Sequence, residues 1–146
     1  MKNVEIKFYE IHPYFMMDGR HVGKISEPWV SEFVGGKTQP ENCSYDVNTD
    51  ESKFYNSGER LEVRSVINQV SFAPSNQVGK GRKVTEEGFQ KKLDSLDYFV
   101  IVDSREWKKG YVDFYEFSKQ DVSSLGLGKN KSMSANKFWK KIDSWK

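Results

Sequence analysis

The longest apolar run in the chain is Tyr98-Phe99-Val100-Ile101-Val102, and it limits the folds that the chain can adopt. A short run rich in β-branched residues is typical of a strand buried on both faces, because a half-exposed strand alternates apolar and polar residues. A strand of this kind lies inside a sheet that is covered by helices. The run therefore predicts a central β-sheet with helices packed against it.

Shorter patterns place a helix and a hairpin before this strand. Ser26 fits a helix N-cap, Pro28 fits the first turn, and Gly35-Gly36 fits the end of the helix after Val34. Turn residues around Asn56-Ser57-Gly58 predict the tip of a hairpin. We expect its two strands at 44–48 and 60–66, with Tyr45 and Val47 as a buried pair, and an earlier strand or arm at 4–11.

The second half of the chain predicts helices and one further strand. Thr85 fits the N-cap of a helix with Phe89, Leu93 and Leu96 on one stripe, and Ser118 with Asp121 fits a capping box. A strand is expected at 110–117 and a last helix at 135–145. The order predicts an α/β (α+β) fold: one domain over 1–146, with a central mixed sheet flanked by helices, a core at 25–118 and a helical extension at 119–146.

Composition limits the cellular locations and the classes of binding partner that are expected for the protein. No apolar run approaches the ~18 residues of a membrane span, and the first residues lack the apolar stretch of a signal peptide, so a cytoplasmic protein is expected. Cys43 is the only cysteine, which excludes an internal disulfide and a cysteine metal cluster. The net charge of +2 does not by itself indicate a polyanion partner. Lysines do gather near the C-terminus, where a solvated helix face and DNA binding explain them equally well: Lys129, Lys131, Lys137, Lys140, Lys141 and Lys146.

Candidate catalytic residues lie on the two strands of the predicted hairpin. Alternation along Arg60–Val66 places Glu62 and Arg64 on one face while Leu61 and Val63 point to the core. Asp46 lies on the neighbouring segment. Two carboxylates and a backbone carbonyl such as that of Val63 suit Mg²⁺, which prefers oxygen ligands and can activate water against a phosphodiester.

The pattern resembles the PD-(D/E)xK nuclease superfamily, and in particular small type II restriction endonucleases. The likeness covers residues 25 to 118: a helix with Glu27 on its buried side that ends in Gly-Gly, Asp46, the strand Glu62-Val63-Arg64, a polar loop, a helix, and the strand after Asp97. The resemblance implies a restriction-endonuclease-like fold in which Asp46 and Glu62 hold Mg²⁺. Two departures stand out: Tyr45 replaces the proline of the family motif, and Arg64 stands where the family usually has lysine.

The departure at Arg64 changes the expected chemistry. An arginine stays protonated at any working pH, so Arg64 cannot act as a general base, but it can donate bidentate hydrogen bonds to a phosphate. The predicted catalytic residues are therefore Asp46, Glu62, Arg64 and Glu27, with Asp46 and Glu62 as the metal ligands. Cleavage of both DNA strands needs two active sites, so a homodimer on a short palindromic duplex site is expected.

A polar loop predicts the contact with DNA. Asn76 and Gln77 are residue types that read adenine edges, while Lys80, Arg82 and Lys83 suit phosphates. A surface loop that does not bind DNA can have the same composition, so this alternative stays open.

Alternative readings remain open for the site and for the function. Asp46 and Glu62 can be exposed acids of a hairpin, and Glu27 can be an acid of the first helical turn that interacts favourably with the helix dipole. The functional alternatives are a non-catalytic DNA-binding protein on the same fold and a nuclease of DNA repair or of a mobile element.

Overall fold

Two β-sheets run through the part of the protein that the computed structural model describes, which is residues 2–5, 19–40, 43–50, 52, 55–72, 86–125 and 132–145. The main sheet has six strands in the order β1-β7-β6-β4-β3-β2, and β5 pairs with β8 in a small second sheet. The strands are β1 (Lys2–Glu5), β2 (Lys37–Thr38), β3 (Val47–Asn48), β4 (Arg60–Ser65), β5 (Gln69–Val70), β6 (Tyr98–Asp103), β7 (Tyr111–Phe117) and β8 (Met133–Ser134).

In the described residues, four α-helices and one short 3₁₀ turn connect the strands. They are α1 (Gly19–Val34), α2 (Glu86–Asp94), α3 (Lys119–Ser124) and α4 (Ala135–Asp143), with the 3₁₀ turn at Trp107–Lys109. None of the described helices has the length and apolar character needed to cross a membrane.

The helices cover the sheet on both faces, which confirms the predicted fold class. Helix α1 packs Val30 and Val34 against Leu61 and Val63 of β4, and we call this side of the sheet the α1 face. Helices α2, α3 and α4 pack on the other side, the α2 face. Strand β4 runs parallel to β6 while the other pairs of the main sheet are antiparallel, so the sheet is mixed.

The apolar run at the centre of the sequence forms β6, as predicted. This strand lies between β4 and β7 and is buried on both faces. Phe99 and Ile101 contact the cluster on the α2 face, while Val100 and Val102 contact the cluster on the α1 face. The two clusters therefore share one sheet, and α4 contributes Phe138, Trp139 and Ile142 to the larger of them.

Several local predictions are confirmed by backbone geometry. Gly35 follows α1 with a φ of 73°, and Gly58 has a φ of 86° at the hairpin tip. Both angles lie in the left-handed region that glycine adopts without strain. Ser118 and Asp121 form both hydrogen bonds of the capping box before α3. The last helix ends earlier than predicted, at Asp143, and Trp145 beyond it is 46% exposed.

The predicted start of the first helix is wrong. Ser26 is not an N-cap, because the helix is already formed at Gly19, before the position at which the sequence predicts its start. Ser26 is buried, and its Oγ donates to the carbonyl oxygen of Val22 at 2.6 Å. Serine can bond to the carbonyl four residues earlier within a helix, so the residue type alone does not mark a helix start. Pro28 likewise lies inside the helix, on its exposed side.

The predicted strand around Asp46 is also shorter than expected. Strand β3 covers Val47–Asn48, and residues 43–46 form a bend. Tyr45 and Val47 are not a buried pair on one face: Val47 is buried on the α1 face, whereas Tyr45 packs against the cluster of the α2 face. The bend rotates the chain between the two residues, so the alternation of an extended strand does not apply there.

Asp97 fixes the parallel register of β4 against β6. Its Oδ2 accepts from the backbone N–H of Arg60 at 2.7 Å and from Arg60 Nε at 3.2 Å, and its own N–H donates to the Arg60 carbonyl at 2.8 Å. The Arg60 side chain, which donates to the Asp97 carboxylate, holds the pKa of that carboxyl below its ordinary value of 3.8. The first residue of β4 is therefore tied to the residue that precedes β6.

We expect Asp97→Ala to lower the free energy of unfolding by about 1 kcal/mol. Hydrogen bonds to charged groups contribute more than this when they are buried, but both side chains here are about one-third exposed. Urea denaturation followed by circular dichroism measures the loss. Asp94→Ala is the matched control, because Asp94 is an exposed acid on the nearby helix. Equal stability of the two variants would contradict the assignment of Asp97.

Candidate functional site

The candidate site lies where β3 separates from β4. The backbone N–H of Asp46 donates to the carbonyl oxygen of Leu61 at 2.8 Å, so backbone pairing with β4 extends one residue beyond β3 into the bend. The Asp46 side chain then continues the ladder, since its Oδ2 accepts from the N–H of Val63 at 2.8 Å. Asp46 is thereby held beside the middle of β4, at Val63, which is the residue next to Glu62.

Glu62 and Arg64 lie on the face of β4 that the sequence predicts, opposite Leu61 and Val63. The parallel register places them beside Phe99 and Ile101 of β6, and so on the α2 face. Glu62 is only 5% exposed. Its Oε1 lies 3.1 Å from Nη2 of Arg64, so the two predicted residues form an ion pair within one strand.

Lys92 of α2 is a further charged group at the same point, and it is not among the residues that the sequence predicts for the site. Its Nζ lies 3.0 Å from Oε2 of Glu62 and donates to the carbonyl oxygen of Ser44 at 2.9 Å. Lys92 therefore connects α2, the bend at 43–46 and the buried carboxylate. The sequence contains an indication of this: Lys92 directly precedes the buried Leu93, at the border of the apolar stripe that faces the sheet.

Glu27 of α1 joins the same cluster. Burial and the negative charges of Asp46 and Glu62, together with a hydrogen bond to the Asp46 side chain, raise the pKa of Glu27 from 4.5 to about 7. Arg64 opposes this rise in pKa. Near neutral pH, Glu27 can thus carry a proton that relieves the repulsion between neighbouring carboxylates.

The charge of Glu62 responds to the same surroundings. Burial raises the pKa of Glu62 above its ordinary value, Arg64 and Lys92 lower it, and the nearby Asp46 raises it. The structure thus brings together the four predicted catalytic residues, Glu27, Asp46, Glu62 and Arg64, and adds Lys92. We call these five residues the acidic cluster.

The donor chemistry of the acidic cluster fits a hard divalent cation, although its present geometry does not form a three-ligand site. Carboxylate oxygens from Asp46 and Glu62 are the ligands that Mg²⁺ prefers. Within the described ranges, however, no three histidine, cysteine, aspartate or glutamate side chains are arranged to hold a metal ion. In the described arrangement, Glu62 contacts two side-chain cations, and one oxygen of Asp46 accepts a hydrogen bond from the backbone.

The predicted DNA-reading residues Asn76, Gln77, Lys80, Arg82 and Lys83 lie outside the described residues, as does the predicted helix cap Thr85. In the C-terminal lysine group, Lys137, Lys140 and Lys141 are exposed on α4, and Lys129, Lys131 and Lys146 lie outside the described residues.

Comparison with protein-family models, with curated proteins and with solved structures finds no match to this chain. The acidic cluster and the fold that positions it are therefore the features that bear on function.

Proposed function

We propose that the protein is a Mg²⁺-dependent endonuclease that hydrolyses phosphodiester bonds in duplex DNA, with a restriction-endonuclease-like fold. One observation supports the proposal above the others. Three carboxylates that are far apart in the sequence, Glu27, Asp46 and Glu62, interact with one another at the edge of one strand, beside two side-chain cations. A fold gains nothing in stability from gathering like charges in a partly buried place, so such a cluster favours a functional explanation.

Each member of the acidic cluster has a role in this proposal. Asp46 and Glu62 hold the metal ion, which when bound supplies positive charge and lowers the pKa of a water molecule. Arg64 and Lys92 neutralise charge on the scissile phosphate, and Arg64 remains protonated while it does so. Glu27 stands next to Asp46 and sets the charge of the metal ligands. The burial of Glu62 keeps the site in a low-dielectric environment, where these charges act strongly.

The proposed mode of action is that of a type II restriction enzyme. A homodimer would present two acidic clusters to a short palindromic duplex, with Asn76, Gln77, Lys80, Arg82 and Lys83 contacting bases and phosphates.

Cleavage of plasmid and phage DNA tests the function directly. We expect discrete linear fragments in the presence of Mg²⁺ and no cleavage when a chelator is present. Nicks at mismatches or at single-stranded ends would instead assign the nuclease to DNA repair. Intact DNA across a broad panel of substrates, with correctly folded protein, would overturn the proposal.

Substitutions at Arg64 separate its charge from its shape. The described contact to Glu62 uses one guanidinium nitrogen, so lysine can replace it in charge. We expect Arg64→Lys to cleave within about threefold of the unmodified protein. We expect Arg64→Met to lose about tenfold or more, since a contact between charged groups is removed. Cleavage rates at saturating Mg²⁺ measure both effects, and a collapse of activity in Arg64→Lys would show that two guanidinium nitrogens are needed.

A second function, DNA binding without hydrolysis, is favoured by a different observation. Glu62 has a side-chain cation at each of its two oxygens, which can be a permanent structural arrangement. Such a module would bind duplex DNA with a salt slope of about −0.9 per phosphate contacted and would be indifferent to Mg²⁺.

A further inference from the structure

The outer side of α4 carries a row of lysines that the proposed active site does not use. Phe138 and Ile142 bury the inner side of this helix in the cluster of the α2 face. At 3.6 residues per turn, Lys137, Lys140 and Lys141 lie on the opposite side, and all three are exposed. We call these three residues the lysine face.

The stability of the helix does not explain the lysine face. Residues three and four apart are neighbours on a helix surface, so Lys137 lies beside both Lys140 and Lys141, and like charges at this spacing destabilise a helix. The helix dipole favours Lys140 and Lys141 in the last turn. It disfavours Lys137, which lies in the first turn because its backbone N–H donates to the Ser134 cap.

The only acid in α4 does not neutralise these lysines, because Asp143 binds an arginine of the neighbouring loop. Its carboxylate accepts from the two terminal nitrogens of Arg105 at 3.2 and 3.3 Å. Arg105 also pairs with the buried Asp103 at 2.8 Å, and its Cζ lies 4.3 Å from the ring centre of Trp139. Among the residues that the structure describes, no ion pair includes a member of the lysine face. Three positive charges therefore face the solvent together.

Helix α4 lies on the side of the sheet that also carries the acidic cluster. The Trp139 ring lies 6.0 Å from the ring of Tyr115. Tyr115 is in register with Ile101 of β6, and Ile101 is in register with Arg64 of β4. The helix thus packs two strands away from Arg64, which is about 10 Å at the usual strand spacing. A duplex bound at the acidic cluster would meet α4 on the same side of the sheet.

We propose that the lysine face binds the phosphate backbone of duplex DNA without regard to base sequence. The inference depends on the proposed function for its partner, and it adds a second contact surface, in the C-terminal part of the chain that the nuclease resemblance does not cover. Lysine binds phosphate as a point charge. Duplex DNA carries one negative charge per about 1.7 Å of its axis, so a row of lysines meets several phosphates.

The burial of α4 favours DNA over an anionic membrane as the partner. A helix that binds a membrane surface places its apolar side in the lipid. The apolar side of α4 is already covered by the sheet and the neighbouring helices. Only the lysines remain for a partner, and they suit a polyanion that is contacted through its charge.

The test measures the binding of a labelled mixed-sequence duplex by fluorescence anisotropy, with a chelator present so that the DNA is not cleaved. We expect the double variant Lys137→Gln/Lys141→Gln to bind about tenfold more weakly than the unmodified protein at about 100 mM salt. The slope of log affinity against log salt should become shallower by about 1 for each lysine removed. A second duplex of unrelated sequence should show the same loss, because phosphate contacts carry no sequence information.

Two further variants control for net charge and for folding. Lys24→Gln/Lys37→Gln removes the same charge from exposed positions on α1 and β2 and should bind within about twofold of the unmodified protein. Lys137→Arg/Lys141→Arg keeps the charge and should restore binding. Circular dichroism and thermal unfolding establish that each variant is folded.

The outcomes separate this inference from the function on which it depends. Equal DNA affinity of the Lys137→Gln/Lys141→Gln variant and the Lys24→Gln/Lys37→Gln control would overturn the role of the lysine face, and DNA cleavage by the same protein would leave the nuclease proposal intact. Binding that depends on the lysine face, without any cleavage in Mg²⁺, would support the inference and overturn the hydrolysis. Binding to vesicles of phosphatidylcholine and phosphatidylserine but not to DNA would overturn both proposals.

Discussion

Glu62→Gln is expected to reduce Mg²⁺-dependent DNA cleavage at least about 100-fold while the protein remains folded. The amide has nearly the shape of the carboxylate but carries no charge, so it is a weaker ligand for the proposed divalent cation. Stabilisation of transition-state charge by a metal ion contributes several kcal/mol, and about 1.4 kcal/mol corresponds to a tenfold change in rate. Single-turnover cleavage at saturating protein measures the effect without interference from product release.

The matched control for this prediction is Glu116→Gln. Glu116 is an exposed glutamate on β7 that lies in register with Val100, on the opposite face of the sheet from Glu62. This substitution should leave cleavage unchanged within about threefold. Undiminished cleavage by a folded Glu62→Gln variant would remove Glu62 from the active site and with it the basis for the proposed hydrolysis.

The second prediction concerns the dependence of stability on pH. Glu27 has a pKa of about 7 in the folded protein and an ordinary value of 4.5. Between these values the folded state binds more protons than the unfolded state, so stability falls as the pH rises. The contribution of Glu27 is fully present below about pH 4.5 and is lost as the pH passes through 7.

We expect this loss to be about 1–2 kcal/mol between pH 5 and pH 8, which allows for the partial exposure of Glu27 to solvent. Urea denaturation at both pH values measures it. Glu27→Gln should lose less stability than the unmodified protein over this interval, because the amide does not titrate. Glu32→Gln, an exposed position on the same helix, should behave like the unmodified protein. Parallel curves for Glu27→Gln and the unmodified protein would mean that Glu27 is not held among the other acids.

Local sequence patterns were sufficient for much of the fold. The apolar run of β6 identified the middle of the sheet because only a strand covered on both sides can be apolar at every position. Gly35 ended its helix and Ser118 with Asp121 began another, since these effects act within one turn of the chain. The ion pair of Glu62 with Arg64 follows from alternation along a strand.

The predictions that failed depended on contacts between distant parts of the chain. Ser26 has the residue type of a cap, but it is buried inside α1, where its hydroxyl donates to the Val22 carbonyl. The separation of Tyr45 from Val47 follows from the bend at 43–46, and that bend is tied by Asp46 to Val63. The proximity of Lys92 to Glu62 depends on how α2 lies across the parallel strands, and residue spacing in the sequence does not predict this angle.

The hydrogen bond from the Val63 N–H to Asp46 has a consequence for how this chain can diverge. The same side chain that carries a negative charge also substitutes for a missing backbone partner at the margin of the sheet. Loss of Asp46 would therefore weaken the pairing of the chain with β4 and also remove a negative charge. A variant of this chain that is not selected for the proposed catalysis would still need an oxygen acceptor there, and an asparagine would supply one.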